Sequence, residues 1–153
     1  MILGKYEPLC RIQLRSLGWN DRHKAEGPAI TINGKVVKIS KLRGFTFATI
    51  RDDCSLSDIK HFDTYASTTS SNNMKSFLLG LPENTKVVGV TYDEFSKNLG
   101  PAKSVLTQLG VNVPGGAWRA SLSLAFTKGH PEKTKQSFTK DGQGPAFLTG
   151  FLH

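Results

Sequence analysis

The stretch Lys86–Tyr92, KVVGVTY, constrains the fold most. Between its terminal residues no side chain is charged, and a continuous apolar run of this length is the mark of a strand covered on both faces. The segments on either side carry a helical period instead. In Ser70–Leu81, SSNNMKSFLLGL, the residues Met74, Phe77, Leu78 and Leu81 fall at i, i+3, i+4 and i+7, with Ser70 or Ser71 as N-cap. In Asn98–Gly110, NLGPAKSVLTQLG, Pro101 suits a first turn, Ala102, Val105, Leu106 and Leu109 form one face, and Gly110 suits the stop.

The remaining segments alternate. Cys10–Gly18 reads as a strand through Ile12 and Leu14, and Ala29–Val37 as a hairpin with Ile30 and Ile32 inward. Asn33-Gly34 supplies the pair of positive φ angles that a two-residue hairpin turn needs. Arg43–Arg51 places Phe45 and Phe47 on one face, and Ser57–Ala66 is its partner across the RDDCSL turn. In Gly115–Phe126, GGAWRASLSLAF, the alternation of Leu122, Leu124 and Phe126 with Ser121, Ser123 and Ala125 predicts a half-buried strand. Lys128–Lys140 reads as a basic loop and Gly144–Leu152 as a closing strand. The order β-β-β-β-α-β-α-β-β is not the strict alternation of a doubly wound fold. It predicts an α+β sandwich of two mostly antiparallel sheets with two flanking helices.

At 153 residues, 1–153 is expected to be one domain with a core that needs neither disulfide nor metal. No apolar run approaches the roughly 18 residues of a membrane span, so membrane insertion is not expected. The start, MILGKYEPLC, lacks a basic region followed by a long apolar one, which predicts a chain without a signal peptide: either it is not exported by that route, or it is a mature chain with a start Met added. The formal net charge of +8 favours acidic partners, yet Lys and Arg are scattered, and a basic solvated surface fits better than a nucleic-acid interface. Cys10 and Cys54 either pair in an oxidising compartment or stay as two buried thiols. No CxxC, Cys/His cluster or calcium-loop spacing points to a metal, and no cofactor motif is present.

Catalytic readings are weak. Asp93-Glu94 are neighbours at a strand end whose side chains diverge if strand geometry persists there, and Asp52-Asp53 sit in a turn, so neither resembles a facing carboxylate pair. Cys54 with His61 lacks any elbow or oxyanion turn; a buried thiol and a surface imidazole read better. The chain therefore reads as a binding protein rather than an enzyme. Sugar recognition needs planar donors, an acceptor and an aromatic face. Arg43 before a strand, Asp93 after one and Trp118-Arg119 before another meet that need; Trp19, in a loop, is either a lid or a stacking platform, and Phe62 and Tyr65 read as packing residues.

In order, Arg43-Gly44, FDTY at Phe62–Tyr65, Asp93-Glu94, LTQLG at Leu106–Gly110, Trp118-Arg119 and Lys128-Gly129 form a series that resembles the interleukin-like EMT inducer family, also called the pancreatic-derived-factor or GG domain. The likeness runs from about Leu9 to Lys128. It implies two antiparallel sheets with flanking helices and an extracellular, secreted protein. The site residues most resemble the carbohydrate-binding stem domain of protein O-mannose N-acetylglucosaminyltransferase, which implies a metal-independent lectin for glycans ending in or near N-acetylglucosamine or galactose. In that resemblance Arg43 and Arg119 donate to hydroxyl or acetamido oxygens, Asp93 accepts from hydroxyls, and Trp118 covers the sugar face. Ala120 stands where the family usually carries Asp, and its secreted members carry more cysteines. A cytokine-like factor, or a binder of hyaluronan or heparan sulfate, are the alternatives. Single sugar sites are weak, and a homodimer would supply multivalency.

Overall fold

In the computed structural model, residues 9–152 are described; the start read above as lacking a signal peptide lies, through residue 8, outside them. The strands are β1 (Cys10–Gly18), β2 (Ala29–Ile32), β3 (Lys35–Val37), β4 (Gly44–Ile50), β5 (Leu56–Phe62), β6 (Lys86–Asp93), β7 (Ser121–Thr127), β8 (His130–Thr139) and β9 (Ala146–Leu152). The helices are α1 (Thr68–Gly80) and α2 (Gly100–Gln108). One sheet runs β3-β2-β1-β9 and the other β5-β4-β6-β7-β8, all antiparallel. This is the expected α+β sandwich, with both helices on the outer face of the second sheet.

The apolar run does what its composition demands. Val88 and Val90 of β6 face the first sheet, against Ile12, Leu14, Ile30 and Leu148. Val87 faces the helices, in a core with Phe45, Phe47, Met74, Leu78, Val105 and Leu106. Strands β4 and β7 are likewise buried on both faces, so the half-buried reading of β7 is corrected. Its serine side is as dry as its leucine side because it lies under β1 and β9.

That dry polar face is held by a hydroxyl cluster where the sheets join. Strand β1 pairs with β9 as far as Ser16, then crosses over, so that Leu17 and Gly18 pair in parallel with Tyr92 and Asp93 of β6. The β6–β7 ladder ends at Gly89 and Leu124, leaving backbone groups beyond it without strand partners. Ser16 Oγ fills the gap: it lies 2.8 Å from the Leu122 carbonyl and 2.7 Å from Ser123 Oγ, and accepts from the Thr91 amide at 2.9 Å. Thr91 Oγ1 accepts from the Leu122 amide at 2.9 Å, and Ser123 Oγ donates to the Ala146 carbonyl at 2.8 Å. Buried backbone groups must find such partners.

Three boundaries differ from the sequence reading. The N-cap of α1 is Ser67, whose side chain accepts from the Ser70 amide at 3.2 Å, not Ser70 or Ser71. Ser71 is buried and instead links the helices, donating to the Leu99 carbonyl at 2.8 Å and accepting from the Ala102 amide at 3.1 Å. The basic stretch Lys128–Lys140 is no loop: most of it is strand β8, paired along β7. Its lysines hid the strand, since an edge strand keeps charge outward and needs no apolar stripe. Strand β5 stops at Phe62, because Asp63 accepts from the Ala66 amide at 3.1 Å and turns the chain.

Cys10 and Cys54 form a disulfide, with Cα atoms 5.4 Å apart across 44 residues of sequence, tying β1 to the turn before β5. By loop closure this bond contributes about 4 kcal/mol. Reduction should therefore lower the urea midpoint without changing the fold; identical midpoints with and without reductant would remove the disulfide from the stability of the native state. Ser16→Ala should cost about 2–3 kcal/mol, because the Thr91 amide loses its bond to the Ser16 hydroxyl in a dry site. Thermal unfolding should show this as a drop of about 5–10 °C.

Candidate functional site

The crossover of β1 gathers five strand ends at one edge of the second sheet. Gly44 pairs with Tyr92, which puts Arg43 beside the end of β6. Gly18 pairs with Asp93, which brings in Trp19, whose amide donates to the Asp93 carbonyl at 2.8 Å. The turn before β7 delivers Trp118 and Arg119, and the turn after β5 delivers Tyr65. Two glycines permit this crowding. A side chain on Gly18 would sit 2.2 Å from the Arg119 carbonyl oxygen, and one on Gly44 (φ 104°) would sit 2.2 Å from that of Phe62.

The result is a cleft of about 230 Å³ lined by Trp19, Arg43, Tyr65, Asp93, Glu94, Trp118 and Arg119. All four residues singled out in the sequence, Arg43, Asp93, Trp118 and Arg119, meet there. Trp19 is 47% exposed and Trp118 44%, so both indoles present open surface rather than plugging the core. Of the two readings of Trp19, its exposure fits an open ring at the cleft better than a lid over the core.

Each charged group is held differently. Arg43 is clamped by Asp63, with Nε 3.1 Å from both carboxylate oxygens and Nη2 2.8 Å from Oδ2, and its guanidinium sits over the Tyr65 ring at 4.3 Å. Asp63 raises the Arg43 pKa further above its ordinary value, chiefly through these bonds. Burial pushes the Asp63 carboxyl upward, but the bonds from Arg43 and the Ala66 amide outweigh it and hold the group below the usual carboxylate range. The clamp's contribution to stability is therefore complete at neutral pH and is lost only as pH falls through that depressed value. The carbonyl of Arg43 is also tied, 2.6 Å from His61 Nε2.

Asp93 has a left-handed backbone (φ 67°), and its Oδ2 lies 3.3 Å from Lys24 Nζ. The same ammonium sits over the Trp19 ring at 3.4 Å. Next to it, Glu94 is buried and accepts from the amides of Ser96 at 2.9 Å, Lys97 at 3.0 Å and Arg119 at 3.3 Å. The neighbouring carboxylates diverge, though not by strand alternation, since Asp93 is left-handed: Asp93 meets Lys24, and Glu94, which also lines the cleft, holds the turn beneath it. Arg119 is also left-handed (φ 56°). Its guanidinium sits over Trp118 at 5.2 Å and Trp19 at 5.5 Å and makes no ion pair among the described residues.

Sequence reasoning missed three participants. Tyr65, read as packing, lines the cleft 6.1 Å from Trp118, while its neighbour Phe62 does pack on the core. Lys24 comes from a short 3-10 turn (Lys24–Glu26) with no signal of its own. Asp21 is buried and accepts from the amides of Gly18 at 2.6 Å and Gly144 at 2.9 Å, fixing the Trp19 loop. Only an Asp two residues past a tryptophan hinted at it. The Cys54–His61 pair has no basis, since Cys54 is in the disulfide and His61, half-buried, is tied to the Arg43 carbonyl. Lys128, part of the motif series, serves the fold: its ammonium caps α1, donating to the carbonyls of Leu78 at 2.5 Å and Leu79 at 3.0 Å.

Among curated proteins, none matches the chain. A family model does: that of the interleukin-like EMT inducer covers residues 43–130, beginning at the first arginine of the cleft and ending past β7. The matched span holds every lining residue except Trp19. It covers more than half of the 153 residues, and the chain belongs to the interleukin-like EMT inducer family.

Proposed function

We propose that this chain is a carbohydrate-binding protein, a lectin that recognises sugar directly and without metal. The convergence of two open indoles, a tyrosine, two guanidinium groups and a carboxylate in one small cleft carries the reading. Such a site matches a pyranose of the N-acetylglucosamine or galactose class, with an apolar C–H face for an indole and a hydroxyl or acetamido rim for the charged groups. At about 230 Å³ the cleft is below the roughly 300–1,000 Å³ of pockets that enclose drug-sized ligands, and suits one sugar ring.

Arg43 offers the donors its clamp leaves over, with Nη1 making no hydrogen bond among the described residues. Asp93 offers Oδ1, Oδ2 being occupied by Lys24. The carboxylates here are engaged by Arg43, Lys24 and backbone amides, which favours binding over acid–base catalysis. The disulfide and the family together favour an oxidising, extracellular setting.

A glycan array should give a restricted pattern, and an array without hits would sink the reading and leave a protein receptor as the partner. Affinity for a single oligosaccharide should change only a few-fold when salt rises about tenfold, whereas a binder of long polyanions loses orders of magnitude. Both tryptophans of the chain are in the cleft, so intrinsic fluorescence reports occupancy directly. Arg119→Ala should weaken binding at least about tenfold while shifting the melting temperature by less than about 4 °C, since only exposed cation–π contacts are lost. A melting drop beyond about 10 °C with binding intact would make the arginine structural. Asp93→Asn suits the left-handed backbone and should keep the fold while weakening binding about tenfold.

A further inference from the structure

Two carboxylates around the cleft are matched by cations, and the remaining charges find other partners. Asp63 is matched by Arg43 at 2.8 Å and Asp93 by Lys24 at 3.3 Å. Glu94, 2% exposed, is turned inward onto the amides of Ser96, Lys97 and Arg119. Arg119 alone among the lining charges has neither carboxylate nor hydrogen-bonded acceptor on its guanidinium among the described residues. Its contacts are the π faces of Trp118 and Trp19. Those contacts stabilise the cation but use none of its N–H donors, which form a planar fork matched to a carboxylate. Lys97, over the Tyr65 ring at 4.9 Å, adds positive potential near the cleft.

From this we infer that the glycan taken by the cleft carries a carboxylate, as a uronic or sialic acid does, and that this carboxylate seats on the Arg119 fork beside the indoles. The inference rests on the carbohydrate reading and sharpens it: Arg119 binds the acid group, and the hydroxyl contacts fall to Arg43 and Asp93. Lys24 makes this arrangement possible. Without its ammonium at Oδ2, Asp93 would present an unmatched negative charge to the incoming acid. With it, the carboxylate nearest the sugar is already neutralised, and Trp19 is held under the ligand by the same ammonium at 3.4 Å.

The test compares matched pairs that differ only in the acid group: 3′-sialyl-N-acetyllactosamine against N-acetyllactosamine, and a glucuronate-terminated disaccharide against its glucose-terminated counterpart. Tryptophan fluorescence titration reads each affinity on the unmodified protein. At least one acidic member should bind about tenfold or more tighter than its neutral partner, and Arg119→Gln should bring that ratio down to near one. Equal affinities within both pairs, or a ratio that survives Arg119→Gln, would overturn the inference while leaving the lectin reading standing. An array on which neither acidic nor neutral glycans bind overturns both, which separates the two failures. Lys24→Gln supplies an independent arm. It keeps the Arg119 fork, and since loosening Trp19 would weaken both members of a pair, the acid-to-neutral ratio should fall through the unmatched Asp93; an unchanged ratio counts against the charge balance argued above.

Discussion

The buried hydroxyl of Ser16 is the contact on which the rest of the arrangement depends. Strand β1 leaves one sheet for the other at this residue, and a crossing inside a dry core would strand the Thr91 amide and the Leu122 carbonyl. One side-chain oxygen with a donor and two lone pairs answers both, and the neighbouring hydroxyls of Thr91 and Ser123 complete the set. Ser16 is fully buried, and an apolar residue of the same size would leave the backbone unsatisfied. The crossing in turn carries Gly18 and Trp19 to the end of β6, and without it half of the cleft's aromatic wall would be elsewhere.

The cleft then departs from regular geometry at the two residues that matter most to it. Asp93 and Arg119 both have positive φ, a conformation that costs roughly 1–3 kcal/mol for such residues. The surroundings hold them there. The Asp93 carbonyl accepts from Trp19, and the Arg119 amide donates to buried Glu94. Ending β6 and entering β7 in this way turns the side chains out of the strand planes and toward a common space. In regular strand geometry Asp93 would alternate away from Glu94 but gain no approach to Lys24 or Trp19. The strain sits where ligand contact is proposed, and it is offset by bonds made at the backbone of Asp93 and Arg119, which leave both side chains for a ligand.

How far the sequence discloses this depends on the range of the interaction. The KVVGVTY run, both helical faces and the Asn33-Gly34 hairpin are local patterns, and all appear as read: Met74 and Leu78 are in the core, and both turn residues have positive φ. Arg43, Asp93, Trp118 and Arg119 were legible as strand-end residues of the right chemistry. Where the chain fails to signal, partners are distant. The Lys24–Asp93 pair spans 69 residues and the Asp21–Gly144 bond 123. Strand β8 shows no alternation because pairing with β7, not its own side chains, makes it a strand. The serine face of β7 looked like a wet face because burial of a hydroxyl is decided by its partners, and these lie on β1, β8 and β9.

Ala120 bears on why Arg119 is left unmatched. Where the family resemblance leads one to expect an Asp after the Trp-Arg pair, the structure has a small side chain, 1% exposed and packed in the core beneath the helices with Ala117 and Leu122. An ionised carboxylate there would be buried among apolar groups unless the turn rearranged, at a cost of several kcal/mol. The counterion for Arg119 therefore does not come from the residue next to it in this chain. Neither do the other carboxylates of the cleft supply one: Asp63, Asp93 and Glu94 are committed to Arg43, Lys24 and the Glu94 turn, and each release would strand a second charge or a row of buried amides. A rearrangement that paired Arg119 internally would break a pair to make a pair. A carboxylate brought by a ligand breaks none, and that asymmetry is the physical reason to look for it outside the protein.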